Sequence, residues 1–173
     1  MDQAAEEAFA ECFRTRRDAV RRKAFLLCGD WHHADDLAQT AFVALHRKWT
    51  TLREPSAVDA YLRRTLVRAL IDETRRPWRR ESAMSQPPEP PVPAGDDGPA
   101  DGVATRESLH DALRLLPPRQ RAVLVLRFLE GLDVAGTARA MGCRQGTVKS
   151  QTAHGLATLR TVLGGDSTWT NVG

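Results

Sequence analysis

Long apolar runs, paired cysteines and catalytic motifs are all missing from this 173-residue chain. No uninterrupted apolar stretch is long enough to span a bilayer, and the acidic first residues, MDQAAEEAFAE, lack the apolar segment of a signal peptide. We therefore expect a cytoplasmic protein without a membrane partner. The formal net charge of +3 is too small to identify a partner class by itself.

The three cysteines, Cys12, Cys28 and Cys143, are scattered and form no C-x-x-C pair. Such a set argues against a disulfide framework and fits a reducing compartment. The adjacent His32 and His33 suggest metal binding, but neighbours on a helix point about 100° apart and do not converge on one ion. No Gly-rich phosphate loop, nucleophile elbow or H-E-x-x-H motif is present. We predict no enzymatic activity, no metal and no cofactor.

Prolines and acidic residues are concentrated at residues 83–104, a stretch without a basic residue. Prolines block helix and strand, and the few apolar side chains there cannot offset the entropy of ordering. We interpret this stretch as a flexible linker between domains at residues 1–82 and 105–164, followed by a tail at 165–173. Its prolines are Pro87, Pro88, Pro90, Pro91, Pro93 and Pro99.

Apolar periodicity predicts three amphipathic helices in the first domain, at about residues 4–28, 30–49 and 56–76. Three such helices can bury one shared core. The apolar stripe of the first helix consists of Phe9, Phe13, Val20, Ala24 and Leu27. No convincing strand pattern occurs anywhere in the chain, so the predicted fold is all-α.

The second predicted helix presents Val43 on its outer face among the polar residues Asp36, Gln39, Thr40 and Arg47. Single exposed apolar residues are ordinary on solvated faces. An apolar residue within a polar face can alternatively anchor a partner helix. The residues alone favour the solvated face.

Arginines crowd the end of the first domain, opposed only by Asp72 and Glu73. A local basic face indicates a nucleic-acid or acidic partner, although a GC-rich genome also enriches arginine. The arginines are Arg63, Arg64, Arg68, Arg75, Arg76, Arg79 and Arg80.

The most informative stretch runs from Asp133 to Leu163. Asp133 is a natural N-cap for a short helix, Gly142 begins a turn, and a longer helix follows from Gln145. With predicted helices at about 105–116 and 118–129, this forms a compact helix-turn-helix domain, whose second helix can enter the DNA major groove. The segment fits an ordinary amphipathic surface helix equally well.

Four motifs occur in one order along the chain: DDLAQTAF at 35–42, LLPPRQR at 115–121, Gly131-Leu132, and GTVKS at 146–150. Together they resemble bacterial RNA polymerase sigma factors of the small, extracytoplasmic-function type. The resemblance covers about residues 5–163. The Trp31-His32-His33 run is similar to an actinobacterial, sigma-E-like subgroup.

The resemblance implies that the chain binds core RNA polymerase and promoter DNA, with an anti-sigma protein as a further partner. In this family the second helix docks on the clamp helices of the largest subunit, and the flap region is contacted as well. The implied core-binding residues are Asp35, Asp36, Gln39, Thr40 and Val43. The implied residues at the proximal promoter element are Arg63, Arg64, Arg68, Arg75 and Arg76. Those implied at the distal element are Arg144, Thr147, Lys149, Ser150, Ala153 and His154.

The sequence departs from the family pattern at three of these positions. Arg68 stands where asparagine is common, and His154 replaces a usual arginine, which weakens a charge contact near neutral pH. Arg144 replaces a frequent serine or proline at the turn, which removes an N-cap and adds a cation. These departures affect the expected promoter sequence.

Two alternatives belong to other functional classes. A stand-alone helix-turn-helix regulator would bind DNA as a dimer without polymerase, and it needs a self-complementary apolar surface. An interaction or adaptor protein would show no specific DNA binding even with polymerase present.

Overall fold

The computed structural model describes residues 2–52, 54–75 and 100–163, and every regular element in these ranges is helical. The N-terminal domain contains α1 (Gln3–Cys28), α2 (Trp31–Lys48) and α3 (Pro55–Thr74), with a short 3-10 turn at Trp49–Thr51. The C-terminal domain contains α4 (Ala100–Arg114), α5 (Pro118–Leu124), α6 (Val134–Met141) and α7 (Gln145–Val162). The predicted all-α fold is confirmed. Residues 83–99 of the predicted linker and the predicted tail lie outside the described residues.

Local chemistry fixes where most of these helices begin. Asp2, Asp30 and Asp133 each accept a hydrogen bond from a first-turn backbone N–H at 2.6–2.8 Å, so α1, α2 and α6 have side-chain N-caps. The predicted cap at Asp133 is confirmed. Proline is the first residue of α3 and of α5, at Pro55 and Pro118, where its missing N–H costs nothing.

Two boundaries differ from the sequence prediction. Helix α4 begins at Ala100, so the last residues assigned to the linker are helical. No proline lies between Pro99 and Pro117, so the chain can become helical directly after Pro99. The linker boundary was predicted from the composition of the whole acidic stretch, which does not show where the prolines end. The predicted helix at 118–129 is interrupted, because Val125–Leu129 widens into a π-helical turn in which the Glu130 N–H donates to the Val125 carbonyl at 2.9 Å.

Each domain has leucine- and valine-rich packing at its centre. In the N-terminal domain the fully buried side chains include Leu37, Leu45, Leu62, Leu66 and Val67. In the C-terminal domain they include Leu116, Val123, Val125, Leu126 and Val148. Burial of this apolar surface holds three helices together in one domain and four in the other.

The two domains also pack against each other, with α5 and α6 against α1 and α3. Arg121 of α5 forms hydrogen bonds across this contact, and it is only 8% exposed. Its Nη1 donates to the Leu27 carbonyl at the end of α1, at 3.0 Å. Its other N–H groups donate to the carbonyls of Leu113, Arg114 and Leu116 at 2.7–3.1 Å. One guanidinium therefore closes the end of α4 and joins the C-terminal domain to α1.

Gly155 lets α7 lie close to α5. A Cβ added there would be 3.2 Å from Leu124 Cγ and 3.4 Å from the Gln120 carbonyl oxygen. We expect Gly155→Leu to lower the free energy of unfolding by about 1–3 kcal/mol, because the larger side chain must push two packed helices apart. Thermal unfolding followed by circular dichroism measures this.

Gly146 of the same helix provides the matched control. A Cβ at Gly146 would meet nothing within 4 Å. Gly146→Leu should therefore leave stability unchanged or raise it slightly, since leucine has the higher helix propensity. Equal losses for the two variants would contradict the close-packing account of Gly155.

Candidate nucleic-acid and partner interfaces

The outer face of α7 is open to solvent over four turns. Lys149, Ser150, Ala153 and His154 are exposed, whereas Val148 is fully buried against the domain. The Ser150 hydroxyl donates to the Thr147 carbonyl at 3.1 Å, and its lone pairs remain available as acceptors. This face offers a cation, hydrogen-bonding groups and a small residue, which suits close approach to a DNA groove.

The turn before α7 holds this helix at a fixed angle to α6. Gly142 has a φ of 65°, a left-handed conformation that favours glycine, and the Cys143 N–H donates to the Ala138 carbonyl at 3.1 Å. Arg144 makes no side-chain cap and is exposed at the start of α7. The uncapped first-turn N–H groups and the adjacent guanidinium form an arrangement that favours phosphate.

The α2 residues predicted to bind a partner share one exposed face. Asp35, Asp36, Gln39 and Thr40 are exposed, and Val43 is 44% exposed. Asp35 pairs with Arg21 of α1. The hydrogen bond from that guanidinium lowers the pKa of the Asp35 carboxyl. The face thus combines acidic groups with one apolar side chain.

A groove of about 680 Å³ runs between α1 and α2 beside this face. Its apolar lining includes Phe9, Phe13, Phe42 and Val43. Phe13 was expected in the core stripe of α1, but its side chain is 39% exposed and packs edge-to-face on Phe42 with ring centroids 4.8 Å apart. The stripe of α1 is wider than the surface that α2 and α3 cover, so periodicity alone placed Phe13 inside.

The arginine-rich face of α3 is divided between solvent and the C-terminal domain. Arg64 and Arg75 are exposed. Arg63 is partly buried and its Nε donates to Glu130 at 3.2 Å. Arg68 is exposed, with its guanidinium lying beside Gly142 of the turn. Arg76, with the neighbouring Arg79 and Arg80, lies outside the described residues.

Tyr61 has a structural environment within this domain. Its hydroxyl donates to the Ala44 carbonyl at 3.3 Å, and the Arg64 guanidinium lies over its ring at 5.4 Å. These contacts hold the ring of Tyr61 within the N-terminal domain.

His33 and Cys28, which belong to the histidine pair and the cysteines considered above for metal or thiol chemistry, have structural environments in the N-terminal domain. His33 is hydrogen-bonded to Glu73 of α3. Burial raises the pKa of the Cys28 thiol to about 11, which disfavours a reactive thiolate. In the part of the chain that the structure describes, no group of His, Cys, Asp and Glu side chains is arranged to hold a metal ion. No helix of that part is long and apolar enough to cross a bilayer.

Comparisons with known proteins cover both domains. The model for sigma-70 region 2 matches residues 12–80, and the model for sigma-70 region 4 matches residues 106–159. An RNA polymerase sigma-E factor of Streptomyces coelicolor is 38% identical over 156 residues, which are 90% of this chain and 85% of that protein. The ECF RNA polymerase sigma factor SigM of Mycobacterium tuberculosis is 34% identical over 165 residues, which are 95% of this chain and 82% of that protein.

Solved structures share the fold at lower identity. The sigma factor RpoE of Bartonella quintana, solved in complex with the anti-sigma factor NepR, has a TM-score of 0.71 and 22% identity, covering 92% of this chain and 99% of that chain. CnrH, solved with the cytosolic domain of CnrY, has a TM-score of 0.58 and 22% identity, covering 95% of each chain.

Proposed function

Because this chain belongs to the sigma-70 family and is an RNA polymerase sigma factor of the actinobacterial extracytoplasmic-function type, we propose that its exposed faces divide promoter recognition between the two domains. A sigma factor binds core RNA polymerase and directs transcription from specific promoters. The family match across both domains removes the regulator and adaptor alternatives. We assign the N-terminal domain to residues 1–82 and the C-terminal domain to 105–164, with Ala100–Ala104 extending its first helix. The proposed location is the cytoplasm, and no catalytic role is assigned.

The core-binding face is the exposed side of α2. Asp35, Asp36, Gln39 and Thr40 supply polar contacts to the clamp helices of the largest subunit, and Val43 supplies the apolar anchor. The groove beside Val43 gives a partner helix an apolar surface next to the polar one. An additional contact joins the C-terminal domain to the flap region of the polymerase. An anti-sigma protein is a proposed further partner.

The proximal promoter element is bound by the arginines of α3 and the residues just after it. Holding an opened strand requires cations along the backbone and surfaces for unpaired bases. Arg64, Arg68 and Arg75 are exposed on this helix, and Arg63 lies on the same side. Arg76 is the fifth proposed contact.

The distal element is bound by the start and outer face of α7. Lys149, Ser150, Ala153 and His154 lie nearest the bases, and Arg144 and Thr147 lie near phosphates. The observation that carries this proposal is that five of these six positions are exposed and Thr147 is half-buried, at the start and along the second helix of a helix-turn-helix.

The test is transcription in vitro with this protein, core RNA polymerase from an actinobacterium, and genomic fragments of its host. Discrete start sites that share two spaced upstream elements are expected. A folded protein that supports no specific transcript on active core would contradict the proposal.

We expect Lys149→Ala to reduce promoter-specific transcripts by roughly tenfold or more, because one good base contact contributes about 1–3 kcal/mol. Core binding should be unchanged, since Lys149 lies on α7 and the proposed core-binding residues lie on α2. Runoff transcription and a core-binding titration measure the two effects separately.

Arg106→Ala is the matched control, because Arg106 is also an exposed cation of the C-terminal domain but lies on α4. It should retain both activities. Equal losses of transcription for Lys149→Ala and Arg106→Ala would mean that the lower positive charge of the domain causes both losses. Lys149 would then not be a base-reading residue.

A further inference from the structure

Two cations of the N-terminal domain converge on one carboxylate of the C-terminal domain. Lys23 Nζ of α1 lies 2.9 Å from Glu130 Oε2, and Arg63 Nε of α3 lies 3.2 Å from the same oxygen. The Glu130 side chain is only 13% exposed. Among the described residues, Lys23 and Arg63 form no ion pair with a carboxylate of their own domain. One carboxylate of the C-terminal domain therefore offsets part of the charge of two cations of the N-terminal domain.

We propose that Lys23 and Arg63 form a binding site for a backbone phosphate of the promoter strand, and that Glu130 occupies this site when the domains are packed together. This inference rests on the proposed function of the α3 arginines and adds Lys23, which lies on a different helix. The ligand class is a nucleic-acid phosphate, and the internal occupant is a carboxylate that presents equivalent acceptor oxygens.

The geometry of the two cations supports a phosphate as the alternative ligand. Two like charges held close together on separate helices need an anion to offset their repulsion. Phosphate oxygens accept from ammonium and guanidinium groups in the same way as the Glu130 oxygen does. When the C-terminal domain moves away, Lys23 and Arg63 stay together because α1 and α3 belong to one packed domain.

A second contact between the domains also covers a proposed promoter-binding residue of the N-terminal domain. The Arg68 guanidinium lies beside Gly142, so the turn of the helix-turn-helix lies against a second proposed promoter residue. The outer face of α7 points elsewhere and stays exposed. In the packed state the distal reading face is therefore free, while the phosphate site near the proximal face is occupied.

The experiment measures binding of the free, full-length protein to a fluorescein-labelled single-stranded oligothymidine of roughly 20 nucleotides, without polymerase. A single strand is chosen because it presents phosphates without offering α7 a duplex groove. Glu130→Gln keeps the shape of the side chain and removes its charge. We expect tighter binding at low salt and a slope of log affinity against log salt steeper by about 0.7, because one further phosphate is bound.

Glu107→Gln is the matched control, because it makes the same charge change at an exposed position of the same domain. It should shift affinity much less than Glu130→Gln does. A double-mutant cycle then assigns the effect to the proposed site. In a Lys23→Gln/Arg63→Gln background, the gain from Glu130→Gln should disappear.

Two results would overturn the inference. One is a Glu130→Gln protein that is folded by circular dichroism and binds the strand no better than Glu107→Gln. The other is a gain that persists in the Lys23→Gln/Arg63→Gln background, which would mean that domain opening exposes a different surface. Transcription with core polymerase tests the proposed function separately, because this binding measurement contains no polymerase and no promoter sequence.

Discussion

Arg121→Met is expected to lower the free energy of unfolding by about 3 kcal/mol or more, the largest stability change among the variants considered. The guanidinium donates to four carbonyls, those of Leu27, Leu113, Arg114 and Leu116. Methionine fills similar space but donates nothing, and each buried acceptor left without a donor costs about 1–3 kcal/mol. The Leu113 carbonyl keeps one donor, the Leu116 N–H at 3.1 Å. Urea unfolding followed by circular dichroism gives the loss.

Two further variants separate hydrogen bonding from charge. Arg121→Lys keeps a cation, but its single ammonium cannot reach four carbonyls that surround a planar fork, so it should recover only part of the stability. Burial already lowers the pKa of Arg121, so charge alone is not what the site favours. Arg160→Met, at an exposed position of α7, should be nearly neutral. If Arg121→Met were equally neutral, the proposed role of the guanidinium would be wrong.

Val43→Asp is expected to weaken binding to core RNA polymerase by about 2 kcal/mol or more, roughly 30-fold. Val43 is an exposed apolar residue beside the groove between α1 and α2. A carboxylate in its place must lose its water when a partner helix covers it. The free protein should be as stable as before, because position 43 faces solvent.

A titration of labelled protein with core polymerase measures this affinity. Val162→Asp is the matched control, since Val162 is also a partly exposed valine on a helix but lies at the end of α7. It should bind core normally. Normal binding by Val43→Asp as well would remove Val43 from the partner face and return that side of α2 to a solvated surface.

Features that depend on neighbouring residues were predictable from the sequence. The N-cap at Asp133, the turn at Gly142 and the helix after it each follow from the chemistry of a few adjacent residues. The exposed face of α7 follows from projecting that helix at about 100° per residue, because a single buried side fixes its opposite. The same projection predicted exposure of Asp36, Gln39, Thr40 and Val43 on α2.

Features that depend on distant segments were not predictable in the same way. Phe13 belongs to an apolar stripe, and only the width of the surface contributed by α2 and α3 leaves it exposed. Lys23, Arg63 and Glu130 come from three segments, so their meeting point is a property of domain packing. The π-helical turn at Val125–Leu129 has no sequence signal of its own, since its residues suit an ordinary helix equally well.

The hydrogen bond between Arg121 and Leu27 spans 94 positions of the chain. Contacts inside the N-terminal domain, by comparison, join helices that follow one another directly or with one helix between them. Chain closure over such a long separation carries a larger entropic cost, so local contacts form faster. On the ribosome, α1, α2 and α3 are complete before Arg121 has been added. We therefore expect the N-terminal domain to fold first and docking of the C-terminal domain to be the last folding step.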